Sequence, residues 1–385
     1  MTRRLTLDEA CEVIVDCEHK TAPVDPTGEY FAVGTPAMRD NTIDYSLARR
    51  ISHATFEEWT RRLTPKVGDV LLAREAPVGP VVQIPSLRVA PGQRTMLLRS
   101  KAEVLDPLYL RYLLVSPEQQ DRLLQRSEGS TVAHLNVAEV RSFLLPDLPP
   151  LQEQQAIAAT LGAIDDKIDS NRRLMNTEWG LAVSILERAC VDDSFSRFGD
   201  VAEFHNSRRV PLSSRDRDGR PGPYPYYGAT GVLGYVDDYL FDQVMLLVGE
   251  DGSVVRPGGS PVVQYVWGRC WVNNHAHVVI GQSVSTELLM LALSISDVSA
   301  LVTGAVQPKL SMGNLKSLKL GLPPVDRRAG VDEAIQPLLA AWRGQVDQNA
   351  HLAALRDVLL PELLSGRLAV GQGDDLASTA AERGG

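Results

Sequence analysis

At 385 residues, with 44% hydrophobic and 23% charged side chains, the chain has the balance of a soluble globular protein and is too long for one ordinary domain. Its net charge of -9 argues against a protein that coats nucleic acid unaided, because counterion release from phosphates needs a basic face. Arg, Asp and Glu interleave with the apolar residues of Met1 to Val13, and no 18-residue apolar span follows, so neither a secretory leader nor a membrane span is expected and the chain is placed in the cytoplasm.

In chain order, Cys17 and His19 come first, but no second pair lies at ligand spacing, so no metal site is expected. Cys11, Cys17, Cys190 and Cys270 form no CxxC pair and read as reduced thiols. Positive charge is local. Between residues 49 and 66, Arg49, Arg50, Arg61, Arg62 and Lys66 face only Glu57 and Glu58, a net +3. Gly68 to Gly79 (GDVLLAREAPVG) then reads as an apolar strand running into a turn that carries Glu75.

Pro149-Pro150 is a stop, and a long helix is expected after it. Its apolar positions alternate by four and three, the period of helices packed along a seam: Ile157, Leu161, Ile164, Ile168, Asn171, Met175, Glu178, Ala182 and Ile185. If wholly helical, the stretch from Leu151 to Arg188 would be ~57 Å long, which reads as a spacer.

The second half repeats the first. Arg208, Arg209, Arg215, Arg217 and Arg220 stand against Asp216 and Asp218, again a net +3. DQVMLLVGEDGS (Asp242 to Ser253) parallels GDVLLAREAPVG, with Glu75 and Glu250 175 positions apart. Thr303 to Arg328 parallels Glu128 to Gln154, with Leu135 and Leu310 at the same offset, and Pro323-Pro324 answers Pro149-Pro150 at an offset of 174. A second seam follows: Val331, Ile335, Leu338, Trp342, Gln345, Asn349, Leu352, Arg356, Leu359 and Leu363. Pro337 argues against a straight helix there, and the first turn could instead begin at it.

The expected fold is therefore α+β: two tandem strand-rich domains, each followed by a long helix, the helices pairing as an antiparallel coiled coil in a pseudo-twofold repeat. Asn171, Glu178, Gln345 and Asn349 would pair across the polar middle of the seam and fix its register. The alternative is that each helix packs on its own domain. Expected boundaries are 1-150, 151-190 (first helix), 191-324, 325-368 (second helix) and a disordered tail, 369-385.

Enzyme chemistry finds little support. Neither Pro-Pro pair has the preceding amide or following aromatic of a methyltransferase tetrapeptide. No Gly-Lys dipeptide exists to serve a nucleotide motor, and Glu250-Asp251 runs into Gly252-Ser253 without a clustered lysine. Glu75 and Glu250 belong to separate copies, so turn capping or cytosine reading suits them better than acid-base cooperation.

Asp16 to Pro23 (DCEHKTAP), Arg74 to Gly79, Gly129 to Asn136 and Leu148 to Ile168 resemble the first target-recognition domain and central helix of type I restriction-modification specificity subunits. Tyr224 to Phe241, Val248 to Ser253, Trp271 to Val278 and Thr303 to Leu310 resemble the second domain, and Leu360 to Leu368 the family's ending. The succession covers nearly the whole chain. The resemblance implies a non-catalytic protein whose two domains each read half of a split double-stranded DNA target. It further implies docking to methyltransferase subunits, two of them expected, and to a restriction/translocase subunit. S-adenosylmethionine, ATP and Mg would then belong to those partners, with no cofactor in this chain. Such partners would also clamp the duplex, which lifts the objection from net charge.

Base edges are read by polar and charged side chains in turns. In the first domain the candidates are His19, Lys20, Arg39, Asn41, Arg61, Arg62, Lys66 and Arg74; in the second, Tyr226, Tyr227, Asn273, Asn274, His275, Gln307 and Lys309. Gly228, Gly231 and Gly234 leave room around the tyrosines, although a tight turn with core tyrosines is the plainer alternative.

Overall fold

The computed structural model describes residues 4-127, 133-191, 194-304 and 306-370. It divides into two compact units, one of residues 1-169 and 349-385, the other of residues 170-348. The tail expected to be disordered falls, from residue 371 on, outside the described residues.

In the first unit, a capped turn, α1 (Leu7–Ala10), feeds β1 (Cys11–Asp16). The strands β2 (Tyr30–Val33), β3 (Met38–Arg39), β4 (Thr42–Ile43) and β5 (Arg49–Ile51) precede α2 (His53–Thr60). Then come β6 (Val70–Arg74), β7 (Val78–Gln83), β8 (Val89–Pro91) and β9 (Thr95–Ser100), followed by α3 (Pro107–Val115), α4 (Pro117–Arg126) and α5 (Val137–Arg141). The central sheet has the order β1-β9-β6-β7, antiparallel throughout. β6 is apolar in a run because both its faces are covered. Val70 and Leu72 join Met96, Leu98 and the helices, while Leu71 and Ala73 face Val33, Val82, Val89 and Leu97 on the other side.

The second unit repeats this plan. It contains β10 (Phe195–Arg197), α7 (Phe198–Val201), β11 (Ala202–Phe204), α8 (Ser214–Asp218), β12 (Tyr224–Tyr227), β13 (Val232–Val236) and β14 (Phe241–Asp242). β15 (Met245–Gly249), β16 (Val263–Val266), β17 (Arg269–Val272), β18 (Ala276–Gly281), α9 (Thr286–Ser294), α10 (Met312–Ser317) and β19 (Lys319–Gly321) complete it. Its central sheet, β11-β18-β15-β16, again has a buried middle strand: Leu246 and Val248 face α9, while Met245 and Leu247 face Val266, Val272 and Val278.

The two long helices, α6 (Leu151–Ala189) and α11 (Val325–Leu364), contribute to both units. In the first unit, Ile157, Ala158 and Leu161 of α6 share a core with Leu360 and Leu363 of α11. Asp165 accepts hydrogen bonds from Arg356 of α11 at 2.9 Å, Arg111 at 2.9 Å and the Tyr112 hydroxyl at 2.7 Å. In the second unit, Asn171 donates to Gln348 at 2.7 Å, Gln345 donates to Glu178 at 2.9 Å, and the rings of Trp179 and Trp342 lie 6.3 Å apart. Ala182 and Leu186 then join Leu339, Ile335 and Val331 in one core. Partner numbers fall along α11 as they rise along α6, so the helices are antiparallel.

Both packing modes expected of the seam are realised at once. Its apolar ends are buried against the adjoining domain as well as the other helix, and its middle pairs helix to helix through polar groups. Ile168 and Asn171 are buried, whereas Ile164, Met175, Ile185 and Leu352 are half-buried. Leu338 and Leu359 yield the fully buried places to Leu339 and Leu360, because a helix of 3.6 residues per turn drifts from a strict 3.5 repeat. Pro337 does not start α11. It lies exposed in the helix interior, where the carbonyl it cannot serve, that of Glu333, also belongs to an exposed residue.

Candidate nucleic-acid interface

A cluster of charge gathers at one end of each central sheet. In the first unit the middle strand ends at Arg74, whose Nε lies 3.2 Å from Asp16 at the end of β1. Arg74 also donates to the Leu135 carbonyl at 3.0 Å and approaches His19 Nδ1 at 3.4 Å, while His19 Nε2 lies 2.9 Å from Asp16. Arg61 and Arg62 close on Glu18 at 3.1 and 3.7 Å, and Arg94 faces Glu75 at 3.5 Å. Lys20 stands exposed beside His19.

In the second unit the middle strand runs into Glu250, which accepts a hydrogen bond from Arg209 at 2.9 Å and faces Lys309 at 3.4 Å. Asp251 lies 3.3 Å from both Lys309 and His275. Burial opposes ionisation of Asp251, but hydrogen bonds from His275 and Lys309 outweigh it and hold the carboxyl below its ordinary value. Asp251 first, and then Glu250, raise the pKa of the Lys309 ammonium. Beneath the cluster, His277 is wholly buried. Its Nε2 donates to the Leu310 carbonyl at 2.8 Å and its Nδ1 accepts from Asn206 at 3.0 Å. Burial lowers its pKa, so it stays neutral.

Three backbone links fix the correspondence between the clusters. The Arg74 amide donates to the Arg94 carbonyl at 2.9 Å, as the Glu250 amide does to His275 at 2.8 Å. The Leu135 amide donates to the Arg74 carbonyl at 2.8 Å, as the Leu310 amide does to Glu250 at 2.9 Å. Glu75 bridges His134, as Asp251 bridges Lys309. Glu250 is therefore the counterpart of Arg74, and Glu75 that of Asp251. The equivalence of Glu75 and Glu250 drawn from the sequence is one residue out of register, because the two middle strands correspond at an offset of 176 along their whole length, whereas Leu135 and Leu310 correspond at 175.

A family model for the type I restriction modification DNA specificity domain matches residues 21-177 and again residues 191-335. The chain belongs to this family. A type I restriction enzyme specificity subunit of Methanocaldococcus jannaschii, MjaIX, is 23% identical over 359 residues, covering 84% of this chain and 82% of that one. Haemophilus influenzae S.HindORF215P, named as a type I specificity subunit, is 30% identical over 142 residues, 37% of this chain and 36% of its own length. In fold, the chain is similar to the crystal structure of the type I system S subunit from M. genitalium, with a TM-score of 0.61 at 17% identity, covering 94% of this chain and 96% of that one. This is thus a specificity subunit, a non-catalytic role, with two recognition domains.

Within the first recognition domain the structure brings together His19, Lys20, Arg61, Arg62 and Arg74. Lys66 lies beyond the other end of β6, ahead of Val70, with its amide on Asp69 at 2.7 Å. Arg39 precedes a tight hairpin turn made by Asp40 and Asn41, both at positive φ, and the Asn41 carbonyl is held by Arg111 at 3.1 Å. In the second domain Asn274, His275 and Lys309 come together, with Gln307 exposed on the same turn as Lys309. Asn273 is buried and works as a bracket, its Oδ1 accepting the His275 amide at 2.8 Å.

Tyr226 offers no contact surface. It is 1% exposed, and its hydroxyl accepts the Leu212 amide at 2.9 Å, so the plainer core reading of this tyrosine applies. Tyr227 is half-buried against the second core, and burial pushes its hydroxyl up to about 12. Arg94, His134, Arg209 and Asp251 went unnoticed as candidates. For Arg94 a faint signal existed: PGQR ahead of the apolar TMLL, in the place of VNNH ahead of AHVV.

Proposed function

We propose that the chain selects a bipartite double-stranded DNA target, each recognition domain reading one half-site from the charged end of its central sheet, with the paired helices setting the gap. The carrying observation is that both domains present the same backbone frame at that end but furnish it differently, Arg74 against Glu250 and Glu75 against Asp251. A common frame with different side chains suits two readers of different half-sites. In the first domain the contacts come from His19, Lys20, Arg61 and Arg62. In the second they come from Asn274, His275, Gln307 and Lys309. Arg39, Asn41, Lys66 and Tyr227 stand apart and serve phosphate contacts, which position a reader without specifying sequence.

Chemistry belongs to partner chains: two methyltransferase subunits that dock on this one and use S-adenosylmethionine, and a restriction/translocase subunit that uses ATP and Mg. The missing phosphate-loop and methyltransferase motifs support this division, as does the family. The site of action is the cytoplasm, where the chromosome lies.

Co-expression with a methyltransferase subunit, followed by methylation profiling of the host genome, tests the reading. A motif of two specified segments separated by a fixed unspecified gap is expected. A continuous motif, or methylation without this chain, overturns it.

A further inference from the structure

We infer that Arg94 and His275 are equivalent base-reading side chains, one per recognition domain, oriented by Glu75 and Asp251 respectively. This deepens the bipartite reading above and rests on it. The equivalence is set by backbone, since both residues immediately precede the strand paired with the sheet's middle strand, and each gives its carbonyl to the matching amide, that of Arg74 or of Glu250.

Exposure separates the roles within each cluster. The Arg94 and His275 side chains are 44% and 51% exposed, whereas those of Arg74 and Glu250 are only 11% and 16%. The first pair can reach a duplex; the second is framework beneath it. Each reader leans on a carboxylate, Arg94 on Glu75 at 3.5 Å and His275 on Asp251 at 3.3 Å, which restricts its rotamers before DNA arrives.

The turns that present them are pinned. A Cβ on Gly92 would stand 2.4 Å from the Gly34 nitrogen, so the chain ahead of Arg94 fits only as glycine, and Arg94 itself is held at φ 70°. A non-glycine residue in that region is uncommon and is retained where surrounding structure enforces it. The turn ahead of His275 is fixed instead by Asn273, whose amide reaches the Tyr227 carbonyl at 3.1 Å while its side chain accepts the His275 amide.

The chemistry differs between domains. Arg94 carries a planar donor fork that matches the O6 and N7 edge of guanine, so a guanine is assigned to one half-site; His275 gives the other half-site a single imidazole contact.

The test uses the full chain co-expressed with its methyltransferase subunit and methylation profiling of the host genome. Arg94→Gly tolerates the left-handed backbone and removes the side chain without strain; Arg94→Lys keeps the charge but loses the fork; His275→Ala addresses the other domain; Arg88→Ala, an exposed pair with Glu29, controls for loss of positive charge. Arg94→Gly and Arg94→Lys are each expected to relax one guanine position in one half-site about tenfold or more, with gap and other half-site as in wild type. His275→Ala is expected to relax a position only in the other half-site, and Arg88→Ala to leave the motif intact. An unchanged motif in the Arg94 and His275 variants, or equal loss in both half-sites, overturns the inference. A wild-type complex with no bipartite motif would instead overturn the reading beneath it.

Discussion

Arg74 and Glu250 hold the same place at the end of the middle strand in the two recognition domains, with opposite charge. Each is neutralised locally by a partner that is reversed too: Asp16 pairs with Arg74, and Arg209 with Glu250. A buried charge left without its partner is costly, so the reversal has to involve both members. Arg209→Ala leaves Glu250 with Lys309 at 3.4 Å as its counter-charge and should lower stability of the second domain by about 2 kcal/mol, measured as a fall in the urea midpoint of the full chain, and a double change with Glu250→Gln should recover part of the loss.

Asp165 is the corresponding device between helices in the first unit. Burial works against its ionisation, but Arg111 and the hydrogen bonds from Arg356 and Tyr112 prevail and keep the carboxyl below its ordinary value. The unfolded chain therefore binds a proton there at higher pH than the folded chain, and the stability this carboxylate contributes is complete above the unfolded value and lost as pH falls through the folded one. Asp165→Asn should cost about 3 kcal/mol at neutral pH, by leaving Arg111 without a counter-charge, and should flatten the decline in urea midpoint below pH 4.

Buried His277 gives a milder dependence in a different window. Its folded pKa lies below the ordinary 6.5, so the unfolded state takes up the proton first and stability falls as pH drops below that value. The slope can reach about 1.4 kcal/mol per pH unit until the folded pKa is met. Glu250 at 3.5 Å favours protonation while Arg209 and Lys309 oppose it, and burial decides the direction. His277→Gln should be less stable at pH 7.5 yet show a shallower loss between pH 6.5 and 5.5, read from thermal midpoints across that range.

Tyr226 separates scaffold from reader. Tyr226→Phe removes the acceptor of the half-buried Leu212 amide and should cost about 1 kcal/mol of stability while leaving the methylation motif as in wild type. A changed half-site would mean that the tyrosine reaches DNA after all.

The repeat and the seams were legible because self-similarity and a 3.5-residue period survive loss of identity between the halves. The charged end was only half legible. His19, Arg61, Arg62 and Arg74 lie close in sequence to residues that mark turns, but Arg94 arrives from a different strand, and a strand register cannot be read from one sequence when a single insertion shifts every partner. The aromatic run Tyr224 to Tyr227 misled for a related reason: whether a tyrosine beside glycines is surface or core depends on the partner of its hydroxyl, and the donor to Tyr226, the Leu212 amide, comes from a separate segment upstream.

The spacer offers the last prediction. Asn171 with Gln348 and Glu178 with Gln345 lock the helices where the seam is least apolar, so register there rests on specific pairs rather than on interchangeable aliphatic contacts. Four residues inserted within 170-176 would add about 6 Å of helix, close to two base-pair steps of duplex. Methylation profiling should then show a changed gap with both half-sites as before. A changed half-site would mean that the helices also orient the reading surfaces, since each recognition core includes residues of both α6 and α11.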